Sequence, residues 1–138
     1  MMSKPYVFHF GEVENASGRL NFWDSDQLPM GVSRVFWITN VPEAEVRGHH
    51  AHRIDHQLIV CPQGQVVVNL ETIEGEKFSF ILDQPSKGLF LPPMVWSTFT
   101  FDANSILLVL AENKFNEQDY LRNKDDFEKL KNEHSQKL

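Results

Sequence analysis

Cysteine is almost absent from this chain. Its single thiol, Cys61, excludes a disulfide within the molecule, so packing and hydrogen bonds must hold the fold, and such usage fits a reducing compartment. Long apolar runs are missing too. The longest, ILLVLA at 106–111, is far shorter than a bilayer-spanning helix needs, so no membrane partner is expected. The opening MMSKPYVFHF has no basic segment followed by a continuous apolar stretch, so the expectation is no secretory signal and a cytoplasmic location. Positive charge is scarce. The count is 13 Lys and Arg against 19 Asp and Glu, a formal charge of −6, which argues against a general nucleic-acid binder. A small phosphorylated ligand stays open, because it asks for only a few well-placed arginines. No repeat, low-complexity tract or linker divides the chain, so a single domain over residues 1–138 is expected.

The chain is rich in large flat side chains, with 11 Phe and 3 Trp, which suit the faces of a sheet. Between residues 34 and 112 lie the runs RVFWIT, HQLIVC, QVVVNLET, KFSFIL, GLFLP, WSTFTF and SILLVLA. KFSFIL and STFTF alternate apolar with polar residues, as a strand with one buried face does. The breaks CPQGQ, EGEK, DQPSKG and DANS recur at about the 8–12-residue spacing of an antiparallel sandwich or barrel. No helical pattern separates the runs, so a parallel sheet with crossover helices is not expected. The barrel is placed at about 18–112. From 116 onward the chain is highly charged. Phe127 and Leu130 share one possible helical face, and Asn123 with Asp126 has capping-box spacing. This predicts a short C-terminal helix within about 116–135, its charges solvated.

The stretch VRGHHAHRIDHQ, residues 46–57, holds four of the 6 histidines. On a strand, His50 and His52 share a face and Ala51 takes the other. Continued alternation adds His56 to the histidine face and turns His49 and Arg53 away. Three readings follow. His50, His52 and His56, with Gly64 at the next turn, have the outline of a barrel metal site. The later strand, where such sites often find another ligand, reads Ser97-Thr98-Phe99. Alternatively, two neutral imidazoles on one face can take a proton from one carbon and return it to the next. The third reading is a polar edge strand. A pair at i and i+2, preceded by Arg47-Gly48 and opening an apolar strand, favours a site. Cys61 is expected to be buried and inert. Phe22-Trp23 and Phe99/Phe101 are expected in the core or an interface rather than as a stacking platform.

These residues also carry a family resemblance. RGHHAHRIDHQLIVCPQG resembles the Arg-Gly-x-His-Ala-His-Lys…Gln segment of the WxcM-like nucleotide-sugar 3,4-ketoisomerases. GLFLPPMVW is similar to their Gly-Leu-x-x-x-Pro-x-x-Trp stretch, and LPMGVSRVFWI to their Leu-Pro-Phe…Arg-Val-Tyr-Tyr-Ile strand. ILLVLAENKFNEQDYLRNKDDF resembles their Leu-Val-Leu-Ala-Ser…Glu-x-Asp-Tyr-Ile-Arg…Phe ending, and the series runs from about residue 18 to 127. The resemblance implies an all-β cupin, a double-stranded β-helix or jelly-roll-like antiparallel barrel, commonly a homodimer. It implies an isomerase of deoxysugar biosynthesis that moves the keto group of a dTDP-4-keto-6-deoxyhexose from C4 to C3, without a catalytic metal or other cofactor. Carried over by position, His50 and His52 are the catalytic pair, with His52 as base. Arg34 and Arg47 contact pyrophosphate or sugar oxygens, Gln57 orients the sugar or a histidine, and Trp37 and Trp96 belong to the substrate pocket. Arg122 is assigned to anchoring the tail.

The chain departs from the family pattern at several of these positions. Phe36-Trp37 stands where the family has two tyrosines, one of which is expected in the active site. Ser97 replaces the histidine after the family's tryptophan, and His56 replaces an acidic residue. Tyr120 is kept. Two alternatives to the isomerase therefore stand at this point. One is a non-catalytic cupin that binds a nucleotide sugar or carbohydrate; the other is a metal cupin built on His50, His52 and His56.

Overall fold

The structure, a computed structural model, describes residues 3–137. Two five-stranded antiparallel sheets face each other. One runs in the order β1 (Tyr6–His9), β9 (Lys87–Leu91), β6 (Gln57–Gln63), β11 (Ile106–Ala111), β4 (Arg34–Ile38). The other runs β12 (Tyr120–Leu121), β5 (Val46–His52), β10 (Val95–Phe101), β7 (Val66–Thr72), β8 (Lys77–Leu82). A separate hairpin pairs β2 (Gly11–Asn15) with β3 (Gly18–Phe22). The seven runs read from the sequence are β4 and β6 to β11, and the sandwich they form is the expected cupin barrel.

Burial explains the pattern of each strand. The central core lies between the sheets and includes Ile59, Cys61, Val66, Val68, Leu89, Phe99, Phe101, Leu107 and Val109. β6 reads as an unbroken apolar run because both its faces are covered. Ile59 and Cys61 point inward, while Leu58 and Val60 pack outward under Phe10 and Met30 of the N-terminal segment. β8 keeps a solvated face, so Phe78, Phe80 and Leu82 alternate with exposed Lys77, Ser79 and Ile81. On the outer side of the second sheet a third cluster joins Ala51, Ile73, Trp96 and Leu121 to Phe127 of the helix α1 (Lys124–Gln136).

Two boundaries differ from the sequence reading. Sheet structure begins at Tyr6, because β1 pairs with the edge of β9, whereas residues 18–22 belong to the outlying hairpin. The helix is shorter than the charged tail, because a 3-10 turn (Glu117–Asp119) and β12 occupy its first part. Asn123 does cap α1, its side chain accepting from the backbone N–H groups of Asp125 and Asp126. Phe127 and Leu130 form the docking face.

Candidate active site

The site begins with a fault in β5. Opposite β10 the register runs Ser97 to His50, then Thr98 to Gly48 and Phe99 to Arg47, so His49 is the extra residue of a bulge. His49 and Gly48 carry the positive φ values this requires, 58° and 91°. Gly48 also faces the Phe99 ring and the Ser97 carbonyl, which leave no room for a Cβ. The bulge shifts the phase of the strand. Strict alternation from His50 puts Arg47 on the opposite face, yet pairing with inward-facing Phe99 returns Arg47 to the histidine face. The Ser97 hydroxyl donates to the His50 carbonyl at 3.3 Å, so the residue in the place of the family histidine serves the bulge.

β12 then brings in a residue the sequence reading passed over. It pairs Tyr120 with His52 and Leu121 with Ala51, and carries Asp119 under the end of β5. Asp119 is buried and accepts from His52 Nδ1 at 3.0 Å and from the Ile54 backbone N–H at 2.7 Å. The Arg53 N–H donates to the Asp119 carbonyl at 2.8 Å, and the Met94 N–H to the His52 carbonyl at 2.7 Å. His52 is thus fixed at both its backbone and its ring. With Nδ1–H donated to a carboxylate, Nε2 carries the lone pair, and the Gln57 amide donates to it at 3.2 Å. The other Gln57 N–H goes to Asp55 Oδ2 at 3.2 Å. Asp55 is buried as well and also accepts from the Asn113 backbone and side chain, at 2.9 and 3.1 Å.

Burial sets the charge of the pair. It pushes the His52 imidazole below its ordinary range, against the upward pull of its bond to Asp119. Burial, and after it the neighbouring His52, lowers His50 to about 4, so His50 is neutral at neutral pH. The two rings meet edge to face, 5.1 Å apart. Both face a cavity of about 240 Å³ between the sheets. Its walls are apolar, from Phe36, Ile59, Phe99, Leu107 and Val109, and its polar groups are Arg47, His50, His52, Gln57, Tyr120 and Arg122. Arg122 lies over the Tyr120 ring, 4.2 Å from its centroid, and is gripped by Glu117 through bonds of 2.6 and 3.0 Å.

Of the residues chosen from sequence, His50, His52, Arg47 and Gln57 therefore meet at one cavity, and Arg122, assigned there to the tail, joins them. Four assignments need correction. Trp37 projects from the outer face of β4 and is 66% exposed, while its neighbour Phe36 takes the inward place. Trp96 points away from the cavity and packs beneath α1, its ring 5.7 Å from that of Phe127. Both follow from strand alternation. Arg34 does not line the cavity. It stands behind it between Phe36 and Phe115, its guanidinium 3.5 Å from Asp55. His56 cannot complete a metal set with His50 and His52, because β5 ends at His52 and bends at Arg53 and Ile54 break the alternation. Its Nδ1 meets Glu112 at 3.3 Å, and its ring stacks on Phe90. His52, Asp55 and Asp119 do bring ligand-type atoms within 4.8 Å of one another. Their lone pairs already serve the N–H groups named above, with the Arg34 cation at Asp55, so this donor set is a hydrogen-bond network.

From sequence, Asp119 reads as one charge of a solvated tail, Arg122 as its anchor, and Tyr120 only as a residue kept from the family pattern. The signal available was the order Glu-x-Asp-Tyr-x-Arg inside the family ending, carried here by Glu117, Asp119, Tyr120 and Arg122.

Comparison with known proteins identifies the family. The family model described as "FdtA: WxcM-like, C-terminal" matches residues 3–132. The TDP-4-oxo-6-deoxy-alpha-D-glucose-3,4-oxoisomerase of Aneurinibacillus thermoaerophilus is 32% identical over 126 residues, 89% of each chain. Among solved structures, the sugar 3,4-ketoisomerase QdtA of Thermoanaerobacterium thermosaccharolyticum, in complex with TDP, superposes with a TM-score of 0.88 at 31% identity, over 97% of this chain and 98% of that one. The TDP-fucose-3,4-ketoisomerase WlaRA of Campylobacter jejuni gives 0.85 at 25% identity, over 95% and 98%. On the strength of this match along nearly its whole length, the chain belongs to the WxcM-like FdtA family.

Proposed function

We propose that the protein is a nucleotide-sugar 3,4-ketoisomerase of deoxysugar biosynthesis, converting a dTDP-4-keto-6-deoxyhexose to its 3-keto isomer. The observation that carries this reading is the buried His52–Asp119 pair. It opens, with neutral His50 beside it, on a cavity whose polar rim includes Arg47 and Arg122. The C3 hydrogen of such a sugar is acidified by the adjacent carbonyl. His52 Nε2 removes it, and Asp119 holds the tautomer and stabilises the imidazolium that forms. Gln57 covers this lone pair when no substrate is present; an arriving sugar takes that place, and Gln57 keeps its bond to Asp55. The neutral His50 ring offers an N–H to the negative charge growing on O4, and the low-polarity walls strengthen that contact. His52 then returns the proton to C4. An internal hydrogen shift of this kind is redox-neutral and calls for no redox cofactor.

The cavity takes the sugar, and the nucleotide extends outward past Arg47 and Arg122, whose planar guanidinium groups match phosphate oxygens. The protein acts as a cytoplasmic homodimer in this reading. No described helix is long and apolar enough to cross a membrane.

The test is dTDP-4-keto-6-deoxyglucose in deuterium oxide, followed at C3 and C4 by NMR, with His52→Asn as control. A 3-keto product, absent with the variant, is the expected result, with deuterium at C4 to the extent that the His52 imidazolium exchanges with solvent before it returns its proton. Saturable perturbation of the sugar signals without conversion identifies a binding protein instead.

A further inference from the structure

Moving a carbonyl between neighbouring carbons takes four proton transfers, two at carbon and two at oxygen. His52 accounts for the pair at carbon. The oxygens need a group that gives a proton to O4 and later takes one from O3, two adjacent atoms within reach of a single hydroxyl. Arginine and glutamine cannot do this, since neither gives up and regains a proton near neutral pH. His50 is held neutral, and a neutral imidazole is a much weaker acid than a phenol. At the inward position of β4, where the family places a tyrosine, this chain has Phe36. Tyr120 carries the only hydroxyl among the residues lining the cavity.

We infer that Tyr120 is a further catalytic residue, the acid and base for the two sugar oxygens, in the place left by the hydroxyl missing at Phe36. This rests on the ketoisomerase reading above. In the first step His52 takes the C3 proton, the C3=C4 bond forms, the carbonyl electrons move to O4, and O4 takes the Tyr120 proton. The result is an enediol, an imidazolium and a tyrosinate. In the second step the tyrosinate takes the O3 proton, C3=O forms, and the C3=C4 electrons capture the His52 proton at C4. Both side chains end as they began.

The geometry supplies what the charged intermediate needs. Tyr120 sits directly opposite His52 in the β5–β12 ladder, its ring 4.4 Å from that of His52 and 5.2 Å from that of His50. The tyrosinate therefore forms beside the imidazolium. The Arg122 guanidinium, 4.2 Å above the same ring, attracts the anion further, and Glu117 keeps it there.

The experiment is Tyr120→Phe, which keeps the ring and its contacts and removes only the hydroxyl. It is assayed beside wild type on dTDP-4-keto-6-deoxyglucose, with TDP affinity measured on both. The inference expects kcat to fall by about 100-fold or more, with KM and the TDP affinity within about threefold. An active wild type whose variant keeps kcat within about threefold overturns the role of Tyr120 and leaves the ketoisomerase standing. A variant that loses TDP affinity as much as turnover also overturns it, because the hydroxyl then serves binding. A wild type that leaves the sugar unchanged overturns both readings.

Discussion

At the scale of single residues, the chemistry of His52 is set by a partner 67 positions along the chain. Asp119→Asn preserves the shape of that partner but offers Nδ1–H an amide that no longer favours the working tautomer or the imidazolium. Turnover is expected to fall by about 10²–10⁴-fold with the fold intact, as checked by steady-state kinetics beside circular dichroism. His50 makes a prediction about acid. Its native value is about 4, against the ordinary 6.5 that an unfolded chain displays. Between these two pH values the unfolded chain holds a proton that the native one does not. Stability therefore falls as pH drops through that window and levels off below it, and His52, also lowered, acts with the same sign. Thermal unfolding from pH 7 down to 4 should show this decline, and His50→Gln should make it shallower. A slope unchanged by the substitution contradicts the burial argument.

At the scale of elements, the bulge in β5 puts Arg47, His50 and His52 on one face, toward the cavity. Gly48→Ala places a methyl 2.8 Å from the Phe99 ring and from the Ser97 carbonyl, at a φ of 91°. The expected cost is about 1–3 kcal/mol in urea unfolding, together with a loss of turnover as His50 is displaced. Helix α1 contributes differently, by holding β12 against β5 through a fully buried Phe127. Phe127→Ala should cost about 3–5 kcal/mol and lower activity, although the residue lies outside the cavity. The strands were legible in the sequence because turn residues punctuate them, and KFSFIL spans the same residues as β8. The bulge was not. Period-two reasoning carries a phase along a strand, and one inserted residue reverses it from Gly48 back toward Val46. Trp37 and Trp96 failed in the opposite way. Family position placed them in the pocket, while plain alternation from Phe36 and Val95 puts them outside.

At the scale of the whole molecule, β4 is an edge strand, and its outward side chains Val35 and Trp37 are 49% and 66% exposed. Should two copies pair through this strip, Trp37→Lys is expected to shift sedimentation toward the monomer while leaving the cavity walls untouched. The candidate site itself was half legible. His50, His52, Arg47 and Gln57 cluster in twelve residues of sequence and announced themselves. Asp119, Tyr120 and Arg122 lie among charges that look solvated, and only long-range pairing shows them to be part of the cavity or buried beneath it. That pairing also puts the site in order of synthesis. The facing sheets can close once β11 has left the ribosome, and the growing protein then already has its histidines and a cavity. It has neither the carboxylate that sets His52 nor the phenol beside it until residues 117–121 emerge, and α1 must follow to clamp them. A chain cut short after β11 would thus carry the histidines without the carboxylate and phenol that complete them, and is expected to leave a sugar unenolised.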